Sequence, residues 1–315
     1  MQTRTLGHTD LQVVPLAFGG NVFGWTADEA TSFQLLDTFV DRGLNFIDTA
    51  DVYSRWIPGN KGGDSETILG DWFARSGKRD QIVLATKVGM EMGEGKKGLS
   101  KRYILEAVED SLRRLQTDRI DLYQSHRDDE STPIEETLEA YQQLIQQGKV
   151  RFIGASNYKG TRLAEAIELG VQKNLPVYQV LQPEYNLYSR HDYETDLAPV
   201  AAKYGLGVIP YFSLASGFLT GKYKSAEDAK GASREFLVKK YFDERGMRIL
   251  KALDEVSAET GASQTEISLA WLLAQPTVTA PIASATNTKQ LETLFAAVDL
   301  KLGQEHLGKL DEASR

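Results

Sequence analysis

Four side chains with acid–base chemistry follow short apolar runs of the chain. Asp48 and Tyr53 lie in GLNFIDTADVY, Lys87 ends QIVLATK, and His126 ends IDLYQSH. A tyrosine with an ordinary pKa near ~10 is a poor acid at neutral pH, but an adjacent ammonium stabilises its phenolate and lowers that pKa. We therefore expect Lys87 to act on Tyr53, and Asp48 to keep the lysine charged. His126 is expected to position a substrate carbonyl and to share in proton transfer.

Each of these residues also has a plainer explanation. Asp48 is suited to cap a short helical turn, Tyr53 to fill a core, and Lys87 to extend from a strand end into solvent. His126 precedes Arg-Asp-Asp-Glu and fits a solvated charged loop. For each residue alone, the plainer explanation and a catalytic role account for the sequence about equally well. One shared site explains all four residues at neighbouring strand ends better than four separate coincidences do.

Eight apolar runs alternate with longer amphipathic segments along nearly the whole chain, which predicts eight strand–helix units. The runs are VVPLAF, NFIDTA, QIVLATKV, IDLYQSH, VRFIGASN, VYQVLQPEYN, GVIPYF and APIASA. IVLAT and VRFIG are apolar on both faces, as in a parallel sheet that is covered on both sides. The pattern predicts an α/β fold, a (β/α)8 TIM barrel, in which reactive groups gather at the carboxyl ends of the strands. The rival is a doubly wound open sheet with a second domain, but no linker marks a boundary, so residues 1–315 are predicted to form a single domain.

Two segments interrupt this pattern. Residues 1–12 are predicted to form a short N-terminal hairpin that turns at residues 7–10 and plugs one end of the barrel, with a frayed terminus as the alternative. Residues 215–241 form a long loop after strand 7, rich in Gly, Ser and Lys. Such loops are usually functional lids or disordered.

Composition narrows the class of partner. The net charge of −8 disfavours nucleic acid and anionic membranes and favours a small molecule. Neither a signal-peptide core nor an apolar stretch of ~20 residues is found, so we expect a cytoplasmic protein. The absence of cysteine excludes disulfides and thiolate zinc sites, and no metal site is predicted. The sequence does not predict an oligomeric state.

In their order and spacing, these motifs resemble the aldo-keto reductase superfamily. Its first signature, Gly-x4-Asp-Thr-Ala-x2-Tyr, is matched by GLNFIDTADVY, and LATK, IDLYQSH, RFIGASN, QPEYN and GFLTGKY follow. The resemblance implies an NADP-dependent oxidoreductase that reversibly reduces an aldehyde, ketone or sugar carbonyl to the alcohol. It implies that Tyr53 is the proton donor, with nicotinamide as hydride donor, in a tetrad completed by Asp48, Lys87 and His126.

The resemblance also implies a cofactor site along the strand ends. Its carboxamide would be held by Ser156, Asn157 and Gln182, whose hydroxyl and amide groups suit an amide ligand, and Tyr211 would stack on the ring. The long loop would hold the pyrophosphate through Gly217, Leu219 and Lys222. The adenosine end would be lined by Ser284, Asn287 and Gln290.

The adenosine end departs from the family pattern. Many members carry Arg or Lys after the last strand and a Glu-Asn pair in the next helix, where this chain has Thr286 and Thr293-Leu294. A 2′-phosphate prefers a guanidinium or ammonium partner, and Lys289 is the only basic residue in PIASATNTKQLETLF. NADP is predicted because the family mostly uses it, and NAD is the alternative.

Two other functions compete with a reductase. A lysine at a barrel strand end can form a Schiff base, so Lys87 also fits an aldolase or lyase, although that function leaves Ser156, Asn157, Gln182 and the long loop unexplained. A nucleotide-binding partner protein without catalysis is the second, because potassium-channel β subunits resemble the same superfamily.

Overall fold

A computed structural model describes residues 2–315 of the protein. Within them, an antiparallel hairpin is followed by a parallel sheet. The hairpin pairs β1 (Arg4–Thr5) with β2 (Gln12–Val13). The sheet consists of β3 (Ala17–Gly19), β4 (Phe46–Asp48), β5 (Val83–Val88), β6 (Ile120–Ser125), β7 (Val150–Ser156), β8 (Val180–Gln182), β9 (Gly207–Val208) and β10 (Ile282–Ala283). Each strand pairs with the next along the chain, and β10 returns beside β3. These are the eight strands predicted from the apolar runs.

Hydrogen bonds between β9 and the segment leading into β10 close the sheet into a barrel. Thr279 N donates to Val208 O at 2.8 Å, and Ile282 N donates to Pro210 O at 2.9 Å. On the other side of β10, Ala17 N donates to Pro281 O at 3.0 Å. The predicted (β/α)8 fold is confirmed.

Eleven α-helices accompany the strands within residues 2–315. They are α1 (Glu29–Asp41), α2 (Asp64–Ser76), α3 (Lys101–Leu115), α4 (Ile134–Gln146), α5 (Gly160–Lys173), α6 (Ala198–Tyr204), α7 (Glu235–Val238), α8 (Glu244–Thr260), α9 (Gln264–Leu273), α10 (Thr288–Asp299) and α11 (Gln304–Ser314). In α3 the buried side chains recur three and four residues apart, and the Ser100 side chain accepts from Tyr103 N to begin the helix. The sequence therefore encodes both the start of this helix and the face that packs on the sheet.

The hairpin closes the amino-terminal end of the barrel. Leu6, Leu11 and Val13 are buried in one cluster with interior side chains of the strands, including Phe46 and Leu122. The hairpin is thus a plug, and the alternative of a frayed terminus is wrong. This end of the barrel is filled, which leaves the opposite end for chemistry.

The long loop after β9 is ordered and has its own core. It contains 3₁₀ turns at Ala215–Thr220, Glu227–Ala229 and Lys239–Tyr241, as well as the single-turn α7. Phe218 and Tyr241 are fully buried, and their rings stack with centroids 5.5 Å apart. Because β9 is the seventh strand of the barrel, the predicted long loop after strand 7 is confirmed. It is a packed element over the carboxyl ends of the strands.

None of the helices in residues 2–315 combines the length and hydropathy that a membrane span requires. Within the same residues, no three His, Cys, Asp or Glu side chains converge as metal ligands would.

Candidate active site

The four predicted catalytic residues converge at the carboxyl ends of β4, β5 and β6. Asp48 is the last residue of β4, Lys87 lies near the end of β5, and His126 directly follows β6. Tyr53 lies in the turn after β4, whose path is fixed by Tyr53 N donating to Ala50 O at 3.2 Å. Parallel pairing of adjacent strands brings these ends to one edge.

Lys87 is the centre of this group. Its Nζ is fully buried and donates to Asp48 Oδ2 at 2.6 Å, to Thr49 O at 2.8 Å and to Tyr53 OH at 2.7 Å. Burial lowers the pKa of Lys87, and the Asp48 carboxylate opposes that effect. Because an ammonium has three hydrogens and three acceptors surround it here, the geometry is that of the charged form.

The pKa of Tyr53 moves in the opposite direction from the sequence expectation. Burial and the neighbouring Asp48 charge, whose Oδ2 lies 3.4 Å from the hydroxyl, raise this pKa well above its ordinary value. The physical reason is that Asp48 largely neutralises Lys87, so the ammonium does not outweigh the desolvation of a phenolate. The resting hydroxyl is therefore held protonated, which is the state a proton donor needs.

His126 faces Tyr53 across the barrel mouth. The two ring centroids are 6.0 Å apart at an interplanar angle of 77°. Burial and the positive charge of Lys87 lower the pKa of His126 well below its ordinary value, and its buried Nδ1 has no hydrogen-bond partner in the described part of the chain. The imidazole is thus neutral at pH 7 and retains one N–H for donation.

The residues expected to hold a carboxamide form a chain beside His126. Asn157 has a backbone φ of +54°, which Asn tolerates better than most residues. Its Nδ2 donates to His126 O at 2.8 Å, and its Oδ1 accepts from Tyr211 OH at 2.8 Å. Ser156 Oγ donates to Gln182 O at 2.8 Å. The structure therefore brings Ser156, Asn157, Gln182 and Tyr211 together next to the tetrad.

Gln124 belongs to the site and was missed from the sequence. Its Nε2 donates to Asp48 Oδ1 at 3.1 Å, and the same oxygen accepts from Gln182 Nε2 at 2.9 Å. Gln124 lies in β6, two residues before His126, which directly follows the strand, so both side chains point to the same side. The spacing of two residues in the run IDLYQSH could therefore have indicated that Gln124 faces the same site as His126.

The long loop brings Gly217 and Lys222 close together, and both are among the residues expected at the pyrophosphate. Ser216 and Gly217 have φ of +57° and +98°, and a Cβ at Gly217 would lie 3.3 Å from Lys222 Nζ. Lys222 is exposed and forms no ion pair with a carboxylate of residues 2–315. Leu219 is fully buried, so only its backbone is available to a ligand.

Arg234, which was not predicted, extends from the same loop to the β3 end of the barrel. Its guanidinium lies 5.2 Å from the centroid of the Trp25 ring. With the side-chain amide of Asn21 turned so that its oxygen faces Arg234, that oxygen accepts from the guanidinium at 3.1 Å. In that orientation, Asn21 donates to Ser284 Oγ at 2.8 Å. Burial lowers the pKa of Arg234, and no carboxylate of the described residues pairs with it. The sequence shows only a single Arg in a Lys- and Gly-rich loop, which does not indicate what its side chain contacts.

The predicted adenosine residues lie at two neighbouring places: Ser284 directly follows β10, whereas Asn287 and Gln290 lie at the start of α10. Asn287 Oδ1 accepts from Gln290 N at 2.9 Å and caps the helix. Gln290 Oε1 accepts from Thr286 N at 2.8 Å. Lys289 is exposed beside them. The side-chain N–H groups of Asn287 and Gln290 and the ammonium of Lys289 remain as polar groups for a ligand.

An aromatic wall adjoins Tyr53. Trp25 and Trp56 meet edge to face with ring centroids 5.5 Å apart, and Trp56 lies 6.2 Å from the Tyr53 ring. Trp56 is 49% exposed. A half-exposed indole beside Tyr53 offers an apolar surface to a ligand.

Comparisons with known proteins agree with this geometry. The model of the aldo/keto reductase family matches residues 15–315. The chain is 36% identical to the uncharacterized oxidoreductase YrpG of Bacillus subtilis, over 99% of this chain and 95% of that protein. It is 33% identical to a probable voltage-gated potassium channel subunit beta of Oryza sativa subsp. japonica, over 95% and 92% of the two chains. An L-glyceraldehyde 3-phosphate reductase of Escherichia coli O157:H7 is 31% identical over 99% and 92%.

Proposed function

The chain belongs to the aldo/keto reductase family, and from that premise we propose that it is an NADPH-dependent reductase of an aldehyde, ketone or sugar carbonyl, with Tyr53 as the proton donor. Membership and the oxidoreductase relatives support NAD(P)H-dependent carbonyl reduction in general. One observation supports Tyr53 as the proton donor. The buried Lys87 ammonium donates to the Tyr53 hydroxyl at 2.7 Å and to the Asp48 carboxylate at 2.6 Å.

The proton moves from Tyr53 to the carbonyl oxygen of the substrate. A bound reduced nicotinamide supplies a hydride to the carbonyl carbon. Lys87 stabilises the phenolate that remains on Tyr53, because its N–H already points at that oxygen. Asp48 keeps the charge on Lys87 during this change. In the oxidation direction the phenolate takes the proton back, so the same residues serve both directions.

His126 positions the carbonyl. Its neutral imidazole can donate one hydrogen bond to the same oxygen that Tyr53 protonates. The backbone on both sides of the residue is fixed, since His126 N donates to Val88 O at 2.8 Å and His126 O accepts from Asn157. We propose that His126 orients the substrate and that Tyr53 donates the proton.

The described residues fit a nicotinamide dinucleotide phosphate. Amide and hydroxyl groups adjoin the tetrad. The mouth carries cations that have no carboxylate partner among residues 2–315, in a chain of net charge −8. Lys222 and Arg234 suit a pyrophosphate, and Lys289 suits a 2′-phosphate near α10. The proposed cofactor site comprises Ser156, Asn157, Gln182, Tyr211, Gly217, Leu219, Lys222, Ser284, Asn287 and Gln290. NADP and NAD share the pyrophosphate, so of these cations only Lys289 supports NADP over the alternative, NAD.

The proposed substrate is a small carbonyl compound whose apolar part packs on Trp56. We also propose that residues 1–315 act as one domain in the cytoplasm, without a nucleic-acid or membrane partner, as the net charge favours. A Schiff-base lyase is disfavoured because Lys87 is fully buried and all three of its hydrogens are engaged. The relatives named as channel subunits are compatible with a partner role, but the assembled tetrad supports catalysis.

Titration with NADPH and, separately, NADH tests the proposal through tryptophan fluorescence, since Trp25 and Trp56 lie at the mouth. We expect NADPH to bind more tightly, and a panel of aldehydes and ketones to oxidise it. Failure of both cofactors to bind a folded sample contradicts the proposal. Borohydride trapping of a carbonyl adduct on Lys87 would instead support the lyase.

A further inference from the structure

The two carboxylate oxygens of Asp48 have different partners. Oδ2 accepts from Lys87 at 2.6 Å, whereas Oδ1 accepts from Gln124 Nε2 at 3.1 Å and Gln182 Nε2 at 2.9 Å. All four residues are buried, so none of these bonds is exchanged freely with water. The charge on Asp48 therefore acts on the proton-donor side of the site and, separately, on two side-chain amides.

These contacts fix the orientation of the Gln182 amide. Its Nε2 donates both to Asp48 Oδ1 and to Gln124 Oε1, the latter at 3.2 Å. Turning the amide over would place its oxygen against two other oxygens, which is repulsive. Gln182 Oε1 accepts no hydrogen bond within residues 2–315, and this oxygen faces accessible space.

Gln124 is itself held in one orientation. Its Nε2 donates to the Asp48 carboxylate, so its Oε1 must turn towards Gln182. In the sheet register, Gln124 lies between Lys87 of β5 and Gly154 of β7. A Cβ at Gly154 would lie 3.0 Å from Gln124 Cγ and 3.3 Å from its Oε1. The glycine thus makes the room in which Gln124 can reach both partners.

We propose that Gln124 is a positioning residue that, with Asp48, presents the carbonyl oxygen of Gln182 to the cofactor carboxamide and so makes the site selective for an N–H donor there. This inference rests on the proposed function, in which Gln182 contacts that carboxamide. Asp48 then has two roles. One carboxylate oxygen holds the charged Lys87, and the other orients the Gln182 amide that recognises the carboxamide.

The test compares the binding of NADPH with that of its 3-acetylpyridine analogue, in which the amide NH₂ is replaced by CH₃. An acceptor that faces a methyl group loses its hydrogen bond, so we expect the unaltered protein to prefer NADPH about tenfold. In Gln124→Met, which keeps the volume but removes both hydrogen bonds, we expect the preference to fall to about twofold. Affinities are read from tryptophan fluorescence, without turnover.

Gln179→Met is the matched control, because Gln179 precedes the amino end of β8, while Gln182 ends the same strand. Its preference should equal that of the unaltered protein. Gly154→Ala is a second variant, since it crowds Gln124 without removing a polar group, and it should also lower the preference.

The outcomes separate this inference from the proposed function. A lowered preference in Gln124→Met with an unchanged Gln179→Met supports the positioning role. A full tenfold preference in a folded Gln124→Met, or no preference in the unaltered protein, overturns it. Failure of the unaltered protein to bind either compound contradicts the nicotinamide site itself.

Discussion

Replacing Lys87 by methionine tests the electrostatic core of the site. The substitution keeps a side chain of similar length but removes the only cation of residues 2–315 within hydrogen-bond distance of Asp48. Asp48 is 1% exposed, so its charge cannot be compensated by water. Breaking a buried ion pair by removing one partner costs about 3–5 kcal/mol. The remaining amide donors, Gln124 and Gln182, offset part of this cost, whereas Thr49 O loses its donor and adds to it. We expect the free energy of unfolding to fall by about 3–5 kcal/mol.

Urea unfolding followed by tryptophan fluorescence measures this change. The double variant Asp48→Asn/Lys87→Met removes both charges and should recover at least about half of the loss. Lys203→Met is the control, because Lys203 and Glu168 form an exposed pair, and it should leave the transition nearly unchanged. A loss below about 1 kcal/mol in Lys87→Met, or a double variant as unstable as the single one, would refute the reasoning.

Two further predictions concern a buried carboxyl and a free cation. Asp51 is buried, and neither of its carboxylate oxygens has a hydrogen-bond partner within residues 2–315; burial and Glu66 raise its pKa well above the ordinary value. The folded protein therefore keeps a proton that the unfolded chain releases above about pH 4, and this contribution to stability is lost as pH rises. Asp51→Asn should gain stability relative to the unaltered protein between pH 4 and pH 7 in urea unfolding; a pH-independent difference would contradict this. Arg234→Met should weaken NADPH binding about tenfold in fluorescence titrations, because a charged hydrogen bond is lost, and an unchanged affinity would exclude the proposed phosphate contact.

Most of the barrel could be predicted because parallel strands that are buried on both faces form continuous apolar runs in the sequence. β9 and β10 span only two residues each, yet GVIPYF and APIASA marked both positions. α9 gave no such signal, because nearly all of its residues are buried and its sequence lacks a polar face. α11 follows the last strand–helix unit and lies outside the repeat.

The predicted catalytic residues lie together because strand ends in a parallel barrel share one edge. Gln124 was missed because one amide in an apolar strand gives no sign of its partners, which come from β4 and β8. Arg234 was missed because no periodicity fixes the path of a long loop. The pKa direction of Tyr53 was wrong because it depends on how burial and Asp48 balance Lys87, and that balance is set by distances.

The role of the Tyr53 hydroxyl is tested most directly by Tyr53→Phe, which removes the donor and keeps the ring. Tyr103→Phe on α3 is the control, since it removes a hydroxyl outside the site. Turnover of an aldehyde and NADPH affinity by fluorescence are measured for both variants. We predict that Tyr53→Phe lowers turnover by about 10² or more with nearly unchanged cofactor affinity, while Tyr103→Phe changes neither. Near-normal turnover in Tyr53→Phe would contradict the assignment of this tyrosine as the proton donor.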